Sequence, residues 1–245
     1  MKQNGPGAPA ELDQAADALG VSRDNPASRI EVQHETRQLV LRPTLRTDAE
    51  AITAAALASA AELRPFMPWA HGDVSLKTQL ARLKLAEAAY WSGRELLLVL
   101  CDAASGEHLS YVGLHPRTAL NPAALEVGYW TPTAHVGKGL CTLATRLAVA
   151  YAFEWLGSDR VQVMHDELNE ASRRVVDKCG FHFEGVLRNG TGAVDAAIVA
   201  GGYHASRRTR LYALLPEDRA ALGWYAPLLE QMTVFDQVGQ PAPRP

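Results

Sequence analysis

An α+β (mixed α/β) fold is what this sequence predicts, built on one central mixed, partly splayed sheet with helices on both faces. Three observations predict it. Strand-like runs come early in the chain and crossover helices come late. Between them, residues 124 to 157 read as a strand of β-formers (Leu125, Val127, Tyr129, Trp130), a turn at Pro132, and a helix opened by Gly137 and Gly139. Finally, 245 residues that are 47% hydrophobic supply one substantial core, or one domain with tails.

Residues 1–29, with Gly5, Pro6, Gly7, Pro9 and Pro26, read as a flexible arm. The small patch of Leu12, Ala15, Ala16 and Leu19 buries too little to offset its ordering entropy. Residues 30–215 form the main domain. Thr36 to Leu45 alternates as a first strand, and Asp48 offers N-cap chemistry for an alanine-rich helix from Ala49 to Leu63. Two prolines, Pro65 and Pro68, stop that helix, and Phe66, Met67 and Trp69 either border a pocket or plug the core. Ser75 caps a second helix ending near Gly93. Strands follow at Glu95 to Cys101 and Leu109 to Leu114, and after the central helix at Val161 to His165, Phe181 to Leu187 and Thr209 to Leu215, with a helix from Ser172 to Lys178. A glycine-rich loop spans Asn189 to Gly202. Residues 216–245 read as a helical appendage and tail, in which Leu222, Trp224, Tyr225, Leu228 and Leu229 face the domain or a second subunit of a homodimer.

Charge is nearly balanced, 24 basic against 27 acidic residues, so net charge implies no DNA or membrane partner. No apolar run approaches the ~18 residues that span a bilayer, and the polar, glycine- and proline-rich start is unlike a secretory leader. Cys101, Cys141 and Cys179 lie far apart with neither CxxC nor His pairing, as reduced thiols of a cytoplasmic protein would, and no metal site is expected.

The glycine turn carries the chemistry. The first turn of a helix leaves main-chain N–H groups unpaired at the positive end of the peptide dipoles, and glycines let a phosphate approach them. A Walker A loop would need Ser or Thr after its GK, and a dinucleotide fingerprint would need a third glycine where Thr142 stands; neither fits.

Glu126 to Trp130 (EVGYW), Val136 to Leu140 (VGKGL), the helix and short strand that follow, Asn169-Glu170-Ala171-Ser172, and Lys178-Cys179-Gly180-Phe181 occur in that order. The series resembles the GNAT superfamily of acyl-CoA-dependent N-acetyltransferases, and within it the RimJ/RimL branch that acetylates protein N-termini and small amines. The resemblance covers roughly Thr36 to Leu215. It implies acetyl-CoA, or another acyl-CoA, as cosubstrate, and a small-molecule amine or protein N-terminus as acceptor.

The implied grip is main-chain N–H from Gly137, Lys138, Gly139, Leu140 and Cys141. The family pattern of Arg or Gln, then Gly, then Gly or Ala aligns on Val136, Gly139 and Cys141, so two of its three positions depart. Lys138 either adds charge to the phosphates or points into water. Asn169 and Ser172 match residues facing the pantetheine arm, and both also suit a helix start. Glu126 is the implied base; burial would raise its pKa unless Arg117 or Arg146 pairs with it. The tyrosine that many relatives use to reprotonate the thiolate is Val176 here, which leaves Ser172 or water for that step. His165 and His115 can carry protons by residue type alone. Arg207, Arg208 and Arg210 favour an anionic group, which raises succinyl-CoA as an alternative donor, and the motif departures raise a non-catalytic CoA-binding module.

Overall fold

The computed structural model describes residues 22, 25–116, 121–190, 195–204, 206 and 208–245. The expected flexible arm, residues 1–29, therefore lies mostly outside the described residues. Where the arm was expected to end, Ala27 is already core: its N–H donates to the Tyr151 hydroxyl at 2.8 Å, and its carbonyl accepts from the Tyr90 hydroxyl at 2.7 Å. No periodicity around Ala27 announces this clamp, because both partners are distant tyrosines.

Among the described residues, nine strands form one sheet in the order β7-β8-β6-β5-β4-β3-β2-β1-β9. They are β1 (Arg29–His34), β2 (Arg37–Pro43), β3 (Leu96–Asp102), β4 (His108–Pro116), β5 (Ala124–Trp130), β6 (Arg160–Asp166), β7 (His182–Arg188), β8 (Arg208–Leu214) and β9 (Met232–Phe235). Every neighbouring pair is antiparallel except β5 with β6. That parallel ladder has only the rungs Ala124↔Arg160, Leu125↔Val161 and Glu126↔Gln162, after which the two strands part. The splay expected from the sequence thus begins directly after Glu126.

The sequence reading missed two strands. β1 lies ahead of the expected first strand, burying Ile30 and Val32 by simple alternation. β9 lies in the stretch read as appendage and tail, and it pairs with β1 from Arg29↔Phe235 to Val32↔Met232. Four residues are too short to register as a strand without the partner edge that β1 supplies.

Helices cover both faces. On one face α1 (Ala49–Ala58), the single turn α2 (Ala60–Leu63) and α3 (Leu76–Trp91) carry Ala49, Ile52 and Leu83 onto Val99, Cys101 and Tyr111. On the other face α4 (Leu140–Glu154) is buried along almost its whole length, with α5 (Glu170–Cys179) beside it. The loop read from Asn189 to Gly202 holds a further turn of helix, α6 (Ala196–Ala200). The appendage helix α7 (Tyr225–Gln231) packs on α4 of its own chain: the Tyr225 hydroxyl and Arg219 both donate to Glu154 Oε1, and Trp224 Nε1 donates to the Cys179 carbonyl. Among the described residues, no helix is long and apolar enough to cross a membrane.

Asp48, expected as a side-chain cap, makes no cap hydrogen bond to α1. Its carboxylate instead forms a fork with Arg42 at 2.8 and 2.9 Å and accepts from Leu45 N–H at 2.8 Å. Burial pushes its pKa up, but Arg42, His108 and the Leu45 amide outweigh that and hold it well below the usual carboxylate range. The stabilisation is present above the unfolded carboxylate pKa and is lost as pH falls through the folded value. Asp48→Ala, which strands the Arg42 guanidinium, is expected to cost about 3 kcal/mol at neutral pH. The cost should shrink below about pH 4, where the unfolded carboxyl is protonated; urea unfolding at pH 7 and pH 3 checks both.

Candidate active site

Gly137 and Gly139 adopt φ of 77° and 75°, in the left-handed region that glycine alone enters without strain. A Cβ placed on either would meet nothing within 4 Å, so the space above the turn is open. The first amide of the segment to find an acceptor among the described residues is Leu143 N–H, on the Gly139 carbonyl at 3.0 Å. The N–H groups from Gly137 to Thr142 are thereby left pointing out of the helix start, and they fit a diphosphate.

A cavity of about 350 Å³ opens on this turn, lined by Val136, Gly137, Gly139, Leu140 and Cys141 on one side and by Asn169, Ser172, Arg174 and Lys178 of the α5 region on the other. A second cavity, of about 410 Å³, lies across the parting of the sheet; Glu126, Gly128, Met164, His165, Asp166, Tyr203 and Thr209 are among its lining. Phe66, Met67, Tyr129, Asn169 and Ser172 line both cavities, so the two meet at the splay. Of the residues expected to border or plug, Phe66 and Met67 border, while Trp69 packs on Trp130 with ring centroids 5.6 Å apart.

Glu126 is 7% exposed, and its Oε2 accepts from Gln162 Nε2 at 3.2 Å across the last rung of the ladder. Of the two arginines considered as its partner, Arg117 lies outside the described residues. Arg146 is engaged elsewhere: it donates to the Lys178 carbonyl and sits over the Trp224 ring at 5.1 Å.

Asn169 is the α5 cap: its Oδ1 accepts from Ser172 N–H at 2.9 Å while the residue also lines both cavities. Ser172 Oγ lies 2.9 Å from the Tyr129 hydroxyl, a contact the sequence reading missed because Tyr129 was noted as a β-former and as part of the EVGYW string, with no role for its hydroxyl. This bond spans the parting, from β5 to α5. Lys138, offered as an added phosphate charge, donates its Nζ to the Ala134 carbonyl at 2.9 Å. Arg174 and Lys178 are the cations at the cavity rim, and sequence reasoning missed both; their spacing of four on α5 was the available signal. Burial pushes the Cys141 thiol up to about 11 and the Cys179 thiol up to about 12, which disfavours the thiolate in both.

His115 gives its Nδ1 to Glu95 Oε1 at 2.6 Å and lies outside both cavities. In the arginine cluster, Arg207 lies outside the described residues, Arg208 is paired with Glu167 at 2.8 Å, and Arg210 stands opposite His165 in the ladder. Substituting Lys138→Ala is expected to change acetyl-CoA affinity by no more than about twofold, because an exposed contact of this kind is worth little; isothermal titration checks it.

The sheet thus parts beside a glycine turn at a helix start, with a buried carboxylate at the point of parting. The chain belongs to the acetyltransferase (GNAT) family, whose domain model matches residues 38–182. YdaF of Bacillus subtilis (strain 168), whose name provisionally assigns it as a ribosomal N-acetyltransferase, is 39% identical over 85 residues, which are 35% of this chain and 46% of YdaF. The chain thus matches about half the length of that relative. The structure of Mycobacterium smegmatis RimJ in complex with CoA-disulfide superposes with a TM-score of 0.68 at 22% identity, covering 84% of this chain and 95% of RimJ. RimL, a ribosomal L7/L12 alpha-N-protein acetyltransferase in complex with coenzyme A, superposes at 0.64 with 17% identity, covering 76% of this chain and 97% of RimL. These two share the fold.

Proposed function

We propose that this protein is an acyl-CoA-dependent N-acetyltransferase that moves acetyl from acetyl-CoA to a primary amine by direct attack in a ternary complex, in the cytoplasm. The observation that carries the reading is the meeting of an anion cradle and a second cavity at a parted sheet, with Glu126 on the second side. The unpaired amides from Gly137 to Cys141 fit the diphosphate. The facing edges of β5 and β6, free of each other beyond Glu126 and Gln162, fit the amides of a pantetheine arm. Glu126 then takes a proton from the acceptor ammonium, directly or through one water.

A protein N-terminus is the acceptor class we favour. Among the described residues, the second cavity is lined by two carboxylates, Glu126 and Asp166, and by no lysine or arginine, which suits an incoming ammonium. RimL, by its name, acts on an N-terminus. The paired state of Arg208 removes one support for an acidic acyl donor.

The test is titration of acetyl-CoA and CoA, followed by thiol release with hexapeptides beginning in Ala or Ser, with spermidine, and with acetyl- or succinyl-CoA as donor. Saturable binding and release with a peptide are expected. Binding with no release from any amine would make the protein a CoA-binding module; equal use of succinyl-CoA would overturn the acetyl assignment.

A further inference from the structure

β6 presents one polar group that the reaction as set out leaves idle. His165 is 6% exposed, its Nδ1 lies 2.7 Å from the Asp166 carbonyl, and its Nε2 is buried without a hydrogen-bond partner among the described residues. A carbonyl only accepts, so the proton sits on Nδ1 and Nε2 carries a lone pair. A buried nitrogen lone pair with no donor is costly, and such a group at the wall of a cavity calls for a ligand.

Its place along the strands is specific. The β5 and β6 ladder ends at Glu126↔Gln162; three residues further on each strand stand Tyr129 and His165, level with each other on the two sides of the parting. Both line the second cavity, together with Asn169, Ser172 and Glu126. A chain threaded from the glycine cradle between the strands has to pass this level before it reaches Glu126.

The ring is fixed. It stacks on Tyr212 at 5.4 Å with planes 15° apart. Around it stand Arg210 and Tyr212 of β8, Asp177 of α5, Asp166 on its own strand, Tyr129 and Glu126 of β5, and Tyr203 of the loop after α6. Burial first, and then Arg210, push its pKa below the ordinary histidine value, against the pull of Asp166 and Asp177, so the neutral ring prevails at neutral pH.

We infer that His165 Nε2 is the proton carrier between the attacking amine and the departing sulfur, filling the role left vacant by Val176. The inference rests on the acetyl-transfer reading above. An acceptor that arrives as an ammonium sheds two protons. The first leaves through Glu126. The amine nitrogen then bonds to the thioester carbonyl carbon and becomes positively charged; its second proton passes to His165 Nε2. The carbon–sulfur bond breaks with its electron pair on sulfur, and the same proton moves from the imidazolium to that sulfur, giving amide and free CoA thiol with His165 neutral again. No oxidant, metal or covalent enzyme adduct is needed.

Two measurements test this. In unaltered protein, the nitrogen NMR signal of His165 Nε2 is followed as CoA and, separately, desulfo-CoA are added. A shift with CoA that desulfo-CoA does not reproduce is expected, and identical responses would overturn the inference whatever the acceptor turns out to be. In His165→Asn, the side-chain amide still donates to the Asp166 carbonyl but Nε2 is gone. The expected result with an Ala-starting hexapeptide is a fall in kcat of about 10²-fold, with acetyl-CoA affinity within about twofold. The limb on which activity rises with pH below about pH 6.5 should also disappear. A merely structural role would lower thermal stability and leave that limb in place, and turnover within about twofold of the unaltered protein would sink the inference. Absence of any CoA binding to unaltered protein would instead strike the cofactor reading on which this one is built.

Discussion

Glu126→Gln is expected to lower kcat for acetyl transfer by about 10²- to 10³-fold while leaving acetyl-CoA affinity within about twofold. The substitution preserves shape, and the new amide can still accept from Gln162 Nε2, the 3.2 Å contact that holds the carboxylate at the end of the ladder. What it removes is the proposed base, at the level where the strands part. Thermal stability should change little, because the amide keeps the volume of the carboxylate and its contact with Gln162. Steady-state kinetics with a peptide acceptor, paired with thermal unfolding, separates the two effects. An unchanged kcat would mean that the acceptor reaches the thioester already deprotonated, and the assignment of Glu126 as base would fall.

Much of this arrangement was legible in the residues, and the reasons differ by element. The central strand, glycine turn and helix were readable because β-formers, Pro132 and positive-φ glycines are local signals that tertiary context does not overturn. The carboxylate was readable for the opposite reason: an ionisable residue among Leu125, Val127 and Tyr129 violates the apolar pattern of a buried strand. Pairings between distant residues were not readable. The clamp of Tyr90 and Tyr151 on Ala27 joins residues 63 and 124 positions apart, and β9 exists as a strand only because β1 offers it an edge. Asp48 misled for a related reason. Its sequence neighbours promised a helix cap, whereas Arg42 on the preceding strand competes for the same oxygens with a charged fork and wins. His165 looked ordinary for its residue type, and its unpaired nitrogen became visible only once Asp166 was seen to occupy the other.

Gly139→Val is expected to weaken acetyl-CoA binding by about 10²-fold, far more than any side-chain truncation in the same turn. At φ 75° a β-branched residue is strained. The cost of such a conformation, on the order of 1–3 kcal/mol, is relieved only by rotating the turn and re-aiming the amides at the start of α4. A Cβ at this position meets nothing within 4 Å in the free protein, so the fold should survive and the loss should appear in ligand affinity. Gly139→Asn provides a graded control, since asparagine enters the left-handed region at modest cost, and a loss of about fivefold is expected. Lys138→Ala, next door, should do almost nothing, its ammonium already being held by the Ala134 carbonyl. The order Val, then Asn, then the lysine truncation is the signature of a grip made by the main chain. Titration calorimetry with acetyl-CoA on the three variants reads it directly. If Lys138→Ala proved the most damaging of the three, the diphosphate would be held by side-chain charge, and the main-chain cradle at Gly137 and Gly139 would be no more than a tight turn.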